Sequence, residues 1–134
     1  MILYADDDND DKAWISEACS ALNYSFSFQF VNNGRQALDY LSTLASAHLP
    51  ALIVLDLNMP EMDGRQTLQQ LKSNPSYQHI PVAIVTTSSS KIDRDVCHRL
   101  GAAIYLTKPD NHLEWQNVVR QLENLVSKTA SISS

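Results

Sequence analysis

The segment LIVLDLNMPEMDG, residues 52–64, decides the fold. Its first four residues, Leu52, Ile53, Val54 and Leu55, are apolar without polar alternation, the pattern of a strand covered on both faces. The run stops at a carboxylate, Asp56, and a turn carrying Asn58, Pro60, Asp63 and Gly64 follows. A buried strand that delivers an acid to its own carboxyl end and then turns toward a helix fits an open parallel sheet, in which ligands gather at the carboxyl ends of the strands.

Further candidate strands, most of them without polar alternation, occur at residues 2–5, 26–31, 81–86 and 103–107, and the opening strand extends over 51–55. Stripes of helical period separate them. Ile15, Ala18, Cys19 and Leu22 form one, Leu38, Leu41 and Leu44 a second, and Leu68 and Leu71 a third. Ile92, Val96 and Leu100 form the fourth, and Trp115, Val118, Val119 and Leu122 the fifth. Strict alternation of strands and helices requires crossovers, and these are right-handed. The expected fold is therefore α/β, a five-stranded parallel sheet with helices on both faces; by analogy with flavodoxin-like folds, it is doubly wound with the order 2-1-3-4-5. Asn33 with Gln36, Ser90 with Asp93 and Asn111 with Glu114 have the spacing of capping boxes at three helix starts. Residues 1–126 read as one domain, and SKTASISS, residues 127–134, lacks an apolar face and reads as a flexible tail.

Composition narrows the function. A chain of 134 residues, 44% hydrophobic, suits a single core. A formal net charge of -5 argues against a nucleic-acid or anionic membrane surface. No apolar run reaches the length of a membrane span. Cys19 and Cys97 lack metal or redox-motif spacing and read as reduced thiols, which suggests a cytoplasmic protein. His48, His79, His98 and His112 show no metal spacing and are expected at the surface.

The acids carry the chemistry. Asp6 and Asp7 follow the first strand and Asp56 ends the third, and a 2-1-3-4-5 order makes those strands neighbours. Clustered carboxylates repel, so a proton or a cation must hold them together. The donors are all oxygens, including the carbonyls of the turn, a hard set suited to Mg²⁺. The other reading, that acids from Asp6 onward cap the first helix, stays open for Asp8, Asn9, Asp10 and Asp11. Thr86 and Lys108 end the fourth and fifth strands and bring a hydroxyl and an ammonium to the same rim. Each alone is an ordinary strand-end residue; their coincidence with the acids is the signal.

Together, the Asp6-Asp7 pair, LDLNMPEMDG, Thr86 and Lys108-Pro109 resemble the receiver domain of bacterial two-component response regulators, in the stand-alone form typified by the chemotaxis receiver. The resemblance implies that Asp56 accepts a phosphoryl group from a sensor histidine kinase or histidine phosphotransfer protein. It implies Mg²⁺ bound directly by Asp7, through water by Asp6, and by Asp56 and the backbone carbonyl of Asn58. Thr86 is similar to the switch hydroxyl, Lys108 to the lysine that pairs with the phosphoryl group, and Pro109 to the family's cis proline. Tyr105 sits where an aromatic swings inward on activation; the alternative is a ring packed on the sheet edge with its hydroxyl in water. Pro60 and Gly64 would shape the turn that aims the Asn58 carbonyl. Thr87 stands where many relatives carry a small residue, implying tighter access. The stretch SNPSYQHIPVAIVTTSSS, residues 73–90, looks similar to receivers that serve phytochrome-type or other sensor kinases.

Such a protein is a signalling switch rather than a turnover enzyme, a monomer or homodimer that acts on a downstream protein target through residues 91–100, Tyr105 and Trp115. Two other readings compete with it. A Mg²⁺-dependent phosphohydrolase would use the same Asp56, but such enzymes commonly carry a second Asp two residues on, where this chain has Asn58. A scaffold that is never phosphorylated would have little reason to keep the full set of mutually repelling acids.

Overall fold

Successive residues of a strand face opposite sides of a sheet, and in β1 (Ile2–Ala5) both sets are apolar and buried. β3 (Leu52–Leu55) and β4 (Val82–Thr86) are likewise buried throughout. The edges are β2 (Phe28–Val31) and β5 (Ile104–Thr107), whose residues are mostly half-buried. The computed structural model describes residues 1–133, with side chains described as far as residue 128. All strand pairs are parallel and the order is β2-β1-β3-β4-β5. The crossovers are α1 (Asn9–Ala21), α2 (Gly34–Ser42), α3 (Gly64–Ser73) and α4 (Lys91–Arg99), and α5 (His112–Ser133) closes the described chain.

Two cores flank the sheet. On one side Ile2, Tyr4, Leu52, Val54, Ala83 and Val85 meet Ile15, Ala18 and Cys19 of α1 and Trp115, Val118, Val119 and Leu122 of α5. On the other, Leu3, Ala5, Ile53, Leu55, Val82 and Ile84 meet Ala37 and Leu41 of α2, Leu68 and Leu71 of α3 and Cys97 of α4. Each fully buried Leu or Ile contributes about 1.5–3 kcal/mol relative to an exposed one. The cores thereby hold the strand ends rigidly. Both cysteines are free and buried, as their spacing suggested.

The structure departs from the sequence reading in several places. β2 begins at Phe28, two residues later than its apolar run, because pairing with β1 starts at Ile2. Ile92 points into solvent, so α4 is held through Cys97 alone among its residues as a fully buried side chain. Trp115 is buried against α1 and belongs to the core, so it cannot contribute to an output surface. Residues 127–133, expected as a tail, continue α5, since helical backbone hydrogen bonding needs no apolar face. At Asn33, Ser90 and Asn111 the side chain caps the N–H three residues on, but the reciprocal box forms elsewhere, between Asp63 and Gln66. Gln36 instead accepts from the Asn32 N–H. No helix among the described residues is long and apolar enough to cross a membrane.

Register builds the rim. Ala5 pairs with Leu55, so Asp6 and Asp56 leave neighbouring strand ends side by side. Their backbones are tied in place: Asp56 N–H donates to the Ala5 carbonyl at 3.1 Å and Asp6 N–H to that of Val31 at 3.0 Å. Thr86 pairs with Thr107, and the N–H of Lys108 donates to the Thr86 carbonyl at 2.6 Å.

Candidate functional site

Asp6, Asp7 and Asp56 each offer a carboxylate oxygen within 4.8 Å of the other two. Asp6 and Asp56 are buried and Asp7 is exposed. Asp6 Oδ1 accepts from the Asp8 N–H at 2.9 Å, whereas Oδ2 has no hydrogen bond. Burial raises the Asp6 carboxyl from 3.8 to about 6, against the opposing pull of Lys108 and the Asp8 N–H. A buried acid oxygen that makes no hydrogen bond, converging with two more acids, fits a hard divalent cation, and these three residues could hold one.

One ammonium serves this cluster. Lys108 Nζ lies 2.9 Å from Asp56 Oδ2, 2.9 Å from Asp6 Oδ2 and 2.6 Å from Asp11 Oδ2, and its side chain is only 7% exposed. Toward Asp6 the contact is an ion pair without the direction of a hydrogen bond. Burial by itself would lower the pKa of this lysine, but the Asp11, Asp56 and Asp6 carboxylates outweigh burial and raise it. Asp8 is the true cap of α1, accepting from the N–H groups of Asp10 and Asp11.

The turn after Asp56 is built by close approach. Asn58 N–H donates to Asp56 Oδ1 at 3.2 Å, so both oxygens of Asp56 are engaged. The Pro60 carbonyl accepts from the Met62 N–H at 2.6 Å across Glu61, whose φ of 63° lies in the left-handed region. The sequence suggested that Gly64 relieves the turn conformationally; its φ is ordinary, and the requirement is space. A Cβ there would sit 2.2 Å from the backbone oxygen of Asp56. Gly64 lets α3 begin directly against the acceptor.

Across the rim, a second network links α3, α4 and β5. Asp93 receives Arg65 Nη2 at 2.5 Å on one oxygen and the Ser88 hydroxyl at 2.6 Å on the other. Hydrogen bonds from Ser88 and then Arg65 hold the Asp93 carboxyl below its ordinary value. The Tyr105 hydroxyl donates to the Ser88 carbonyl at 2.8 Å, with Arg94 over the ring at 5.4 Å. The phenol is thus turned inward and bonded, rather than resting in water. Thr86 is wholly buried, its oxygen facing the Ser88 N–H at 3.5 Å, and Thr87 is exposed.

A family model described as the response regulator receiver domain matches residues 2–120. The chain belongs to that family. Response regulator Rcp1 of Synechocystis sp. is 29% identical to this receiver over 98% of the chain and 92% of Rcp1. The crystal structure of the phosphorylated cyanobacterial phytochrome response regulator RcpA gives a TM-score of 0.84 at 31% identity, covering 96% of this receiver and 94% of that chain. The Mn²⁺-bound form of Rcp1 gives 0.76 at 30% identity, covering 91% and 90%. Receiver domains are signalling switches of two-component phosphorelays, and this receiver has their fold and their acidic cluster.

The structure brings Asp6, Asp7, Asp56 and Lys108 together, and sets Thr86 beside Ser88 and Tyr105. It corrects one expectation: the peptide before Pro109 is trans, and no cis peptide occurs among the described residues. The two isomers before proline differ by only about 0.5–1 kcal/mol, so a Lys-Pro motif does not choose between them. Sequence reasoning missed Asp11 as a lysine partner and the Arg65–Asp93–Ser88 network. Asp11 was visible only as one of several acids in a first helical turn, and 28 residues separate Arg65 from Asp93.

Proposed function

We propose that this receiver is phosphorylated on Asp56 and that the acyl phosphate changes which protein it binds. The observation that carries the reading is Lys108 Nζ resting 2.9 Å from Asp56 Oδ2 beside the converged Asp6 and Asp7 carboxylates. An Asp56 oxygen attacks the phosphorus of a phosphohistidine; the P–N bond breaks with its electron pair going to the imidazole, and a P–O bond forms. As a carboxylate, Asp56 needs no general base, and the rigid end of β3 aims it. Lys108 is poised to neutralise the phosphoryl oxygens. Mg²⁺ is the proposed ion; Asp6, Asp7, Asp56 and the Asn58 carbonyl would hold it, and it would neutralise charge on the transferring group. That Rcp1 has an Mn²⁺-bound form supports a divalent ion for this receiver.

The added negative charge draws Thr86 and Lys108 toward the phosphoryl group and biases the loop after β4. That loop is where Ser88 meets both Asp93 and Tyr105, so the bias reaches α4 and the surface of residues 91–100. α4 suits this role because little apolar surface fixes it. Pro109 and Pro60 act as structural supports of the lysine and of the turn. The upstream partner is a sensor histidine kinase or phosphotransfer protein; the RcpA comparison favours a kinase of phytochrome type. Because such kinases draw on ATP, the cytoplasm is the proposed compartment.

Incubation with Mg²⁺ and acetyl phosphate tests the reading by mass spectrometry. One added phosphoryl group, absent in Asp56→Asn, is expected. An unchanged mass would mean a scaffold, and steady phosphate release from simple phosphate esters would mean a hydrolase.

A further inference from the structure

We propose that Asp11 is a positioning residue for Lys108, competing with Asp56 for the ammonium so that it restrains phosphorylation while strengthening cation binding. The inference rests on the reading of Asp56 as phosphoacceptor. A lysine ammonium has three protons, and here three carboxylates surround it, two just beyond the ends of β1 and β3 and one from α1. Asp11 is the nearest of the three, at 2.6 Å against 2.9 Å for both others. It stands outside the trio of acids that converge as metal ligands. Nor is it needed as a cap, because Asp8 fills that role and Asp11 contributes only its N–H to it.

The charge balance gives Asp11 opposite effects on two steps. Asp6, Asp11 and Asp56 face one ammonium with Asp7 beside them, and a divalent ion still leaves these four acids and the lysine one negative charge in excess. Asp11 therefore adds to the attraction for a cation. During phosphoryl transfer, negative charge grows on oxygens that need Lys108, and Asp11 both repels that charge and retains the lysine. Neutralising Asp11 weakens the first process and accelerates the second. A side chain that merely stabilised α1 would impair both when altered, so the opposite signs identify the positioning role.

The test compares Asp11→Asn with Asp10→Asn, which removes the same charge one residue earlier from an exposed position without touching Lys108. Mg²⁺ affinity is read by tryptophan fluorescence, Trp14 lying one turn beyond Asp11, and the phosphorylation rate by mass spectrometry with acetyl phosphate at saturating Mg²⁺. For Asp11→Asn, Mg²⁺ binding weaker by about 3–10-fold and phosphorylation faster by about 3–10-fold are expected from one nearby unit charge in a partly screened setting. In the metal-free protein, the Lys108 ammonium protons exchange faster with water by NMR. Asp10→Asn changes neither measured constant by more than about twofold. Equal rates in Asp11→Asn and wild type, a slower Asp11→Asn, or an Asp10→Asn that reproduces the effect would overturn the proposal alone. A wild-type protein that takes up no phosphoryl group overturns the phosphoacceptor reading and this proposal with it.

Discussion

At the β1–β3 end of the rim, three carboxylates share one ammonium and a fourth, Asp7, stands beside them in solvent; at the β4–β5 end, Arg65, Asp93, Ser88 and Tyr105 are all hydrogen-bonded in one network, with a separate Asp93 oxygen for Arg65 and for Ser88. Among the described residues, the buried side-chain atoms without a hydrogen bond are the Tyr4 hydroxyl on β1 and Asp6 Oδ2 just beyond its end. One end is under electrostatic strain that a cation relieves. The other is satisfied, so moving its loop means exchanging existing hydrogen bonds. This difference suits a switch: the strained end captures ion and phosphoryl group, and the satisfied end keeps two arrangements distinct.

The comparison breaks most readily at Lys108. Lys108→Met removes the shared cation from buried acids, and a loss of about 3–5 kcal/mol is expected in the metal-free protein near neutral pH, by urea denaturation. Mg²⁺ should restore much of it. A metal-free variant as stable as wild type would show that the acids are not strained.

Asp6 offers the next largest effect, in the opposite direction. Its folded pKa is raised from 3.8 to about 6, so its contribution to stability is complete below the unfolded value and is lost as pH rises through 6. Relative to wild type, Asp6→Asn should therefore gain about 2–3 kcal/mol above that window in metal-free buffer, and nothing at its acid end. Wild-type protein with Mg²⁺ should close the gap. A stability difference that does not vary with pH would remove the strain argument.

Gly64→Ala sharpens the comparison by disturbing only the aim of Asp56. The new Cβ would collide with the Asp56 carbonyl, costing about 1–3 kcal/mol in thermal or urea unfolding. Phosphorylation should fall more than stability explains, with amide exchange in α4 unchanged. The smallest effect belongs to the satisfied end. Tyr105→Phe removes one hydrogen bond to the Ser88 carbonyl, worth about 1 kcal/mol, and should speed amide exchange in residues 87–90 without altering Mg²⁺ affinity. A change in that affinity would show that the two ends are not separate.

The strands, their parallel direction and the placing of Asp6, Asp7, Asp56 and Lys108 at strand ends were legible because each rests on a local pattern; the strand order was not local and came by analogy with flavodoxin-like folds. Unbroken apolar runs mark doubly covered strands, and a polar residue just beyond such a run lies on the rim. Ile92 and Trp115 were harder. Helical period identifies an apolar stripe but not which of its residues are covered: Ile92 at the start of α4 is left exposed, and in α5 the Trp115 ring is buried with α1. The Asp63–Gln66 box has the required spacing too, but Asp63 also closes the turn after Asp56, so its spacing alone does not separate a cap from a turn residue.

By itself, the sequence determined which segments are buried strands, which oxygens are available, and that the acids stand at the carboxyl ends of strands; these follow from periodicity and connection rules that act within a few residues or a single crossover, whereas their meeting needed the strand order, taken by analogy with flavodoxin-like folds. The packed structure decided how Lys108 divides itself among Asp6, Asp11 and Asp56, that Arg65 reaches Asp93, and that the Tyr105 hydroxyl finds Ser88. Those outcomes depend on distances of a few tenths of an ångström between distant segments, where Coulomb and hydrogen-bond energies change steeply and spacing along the chain carries no information.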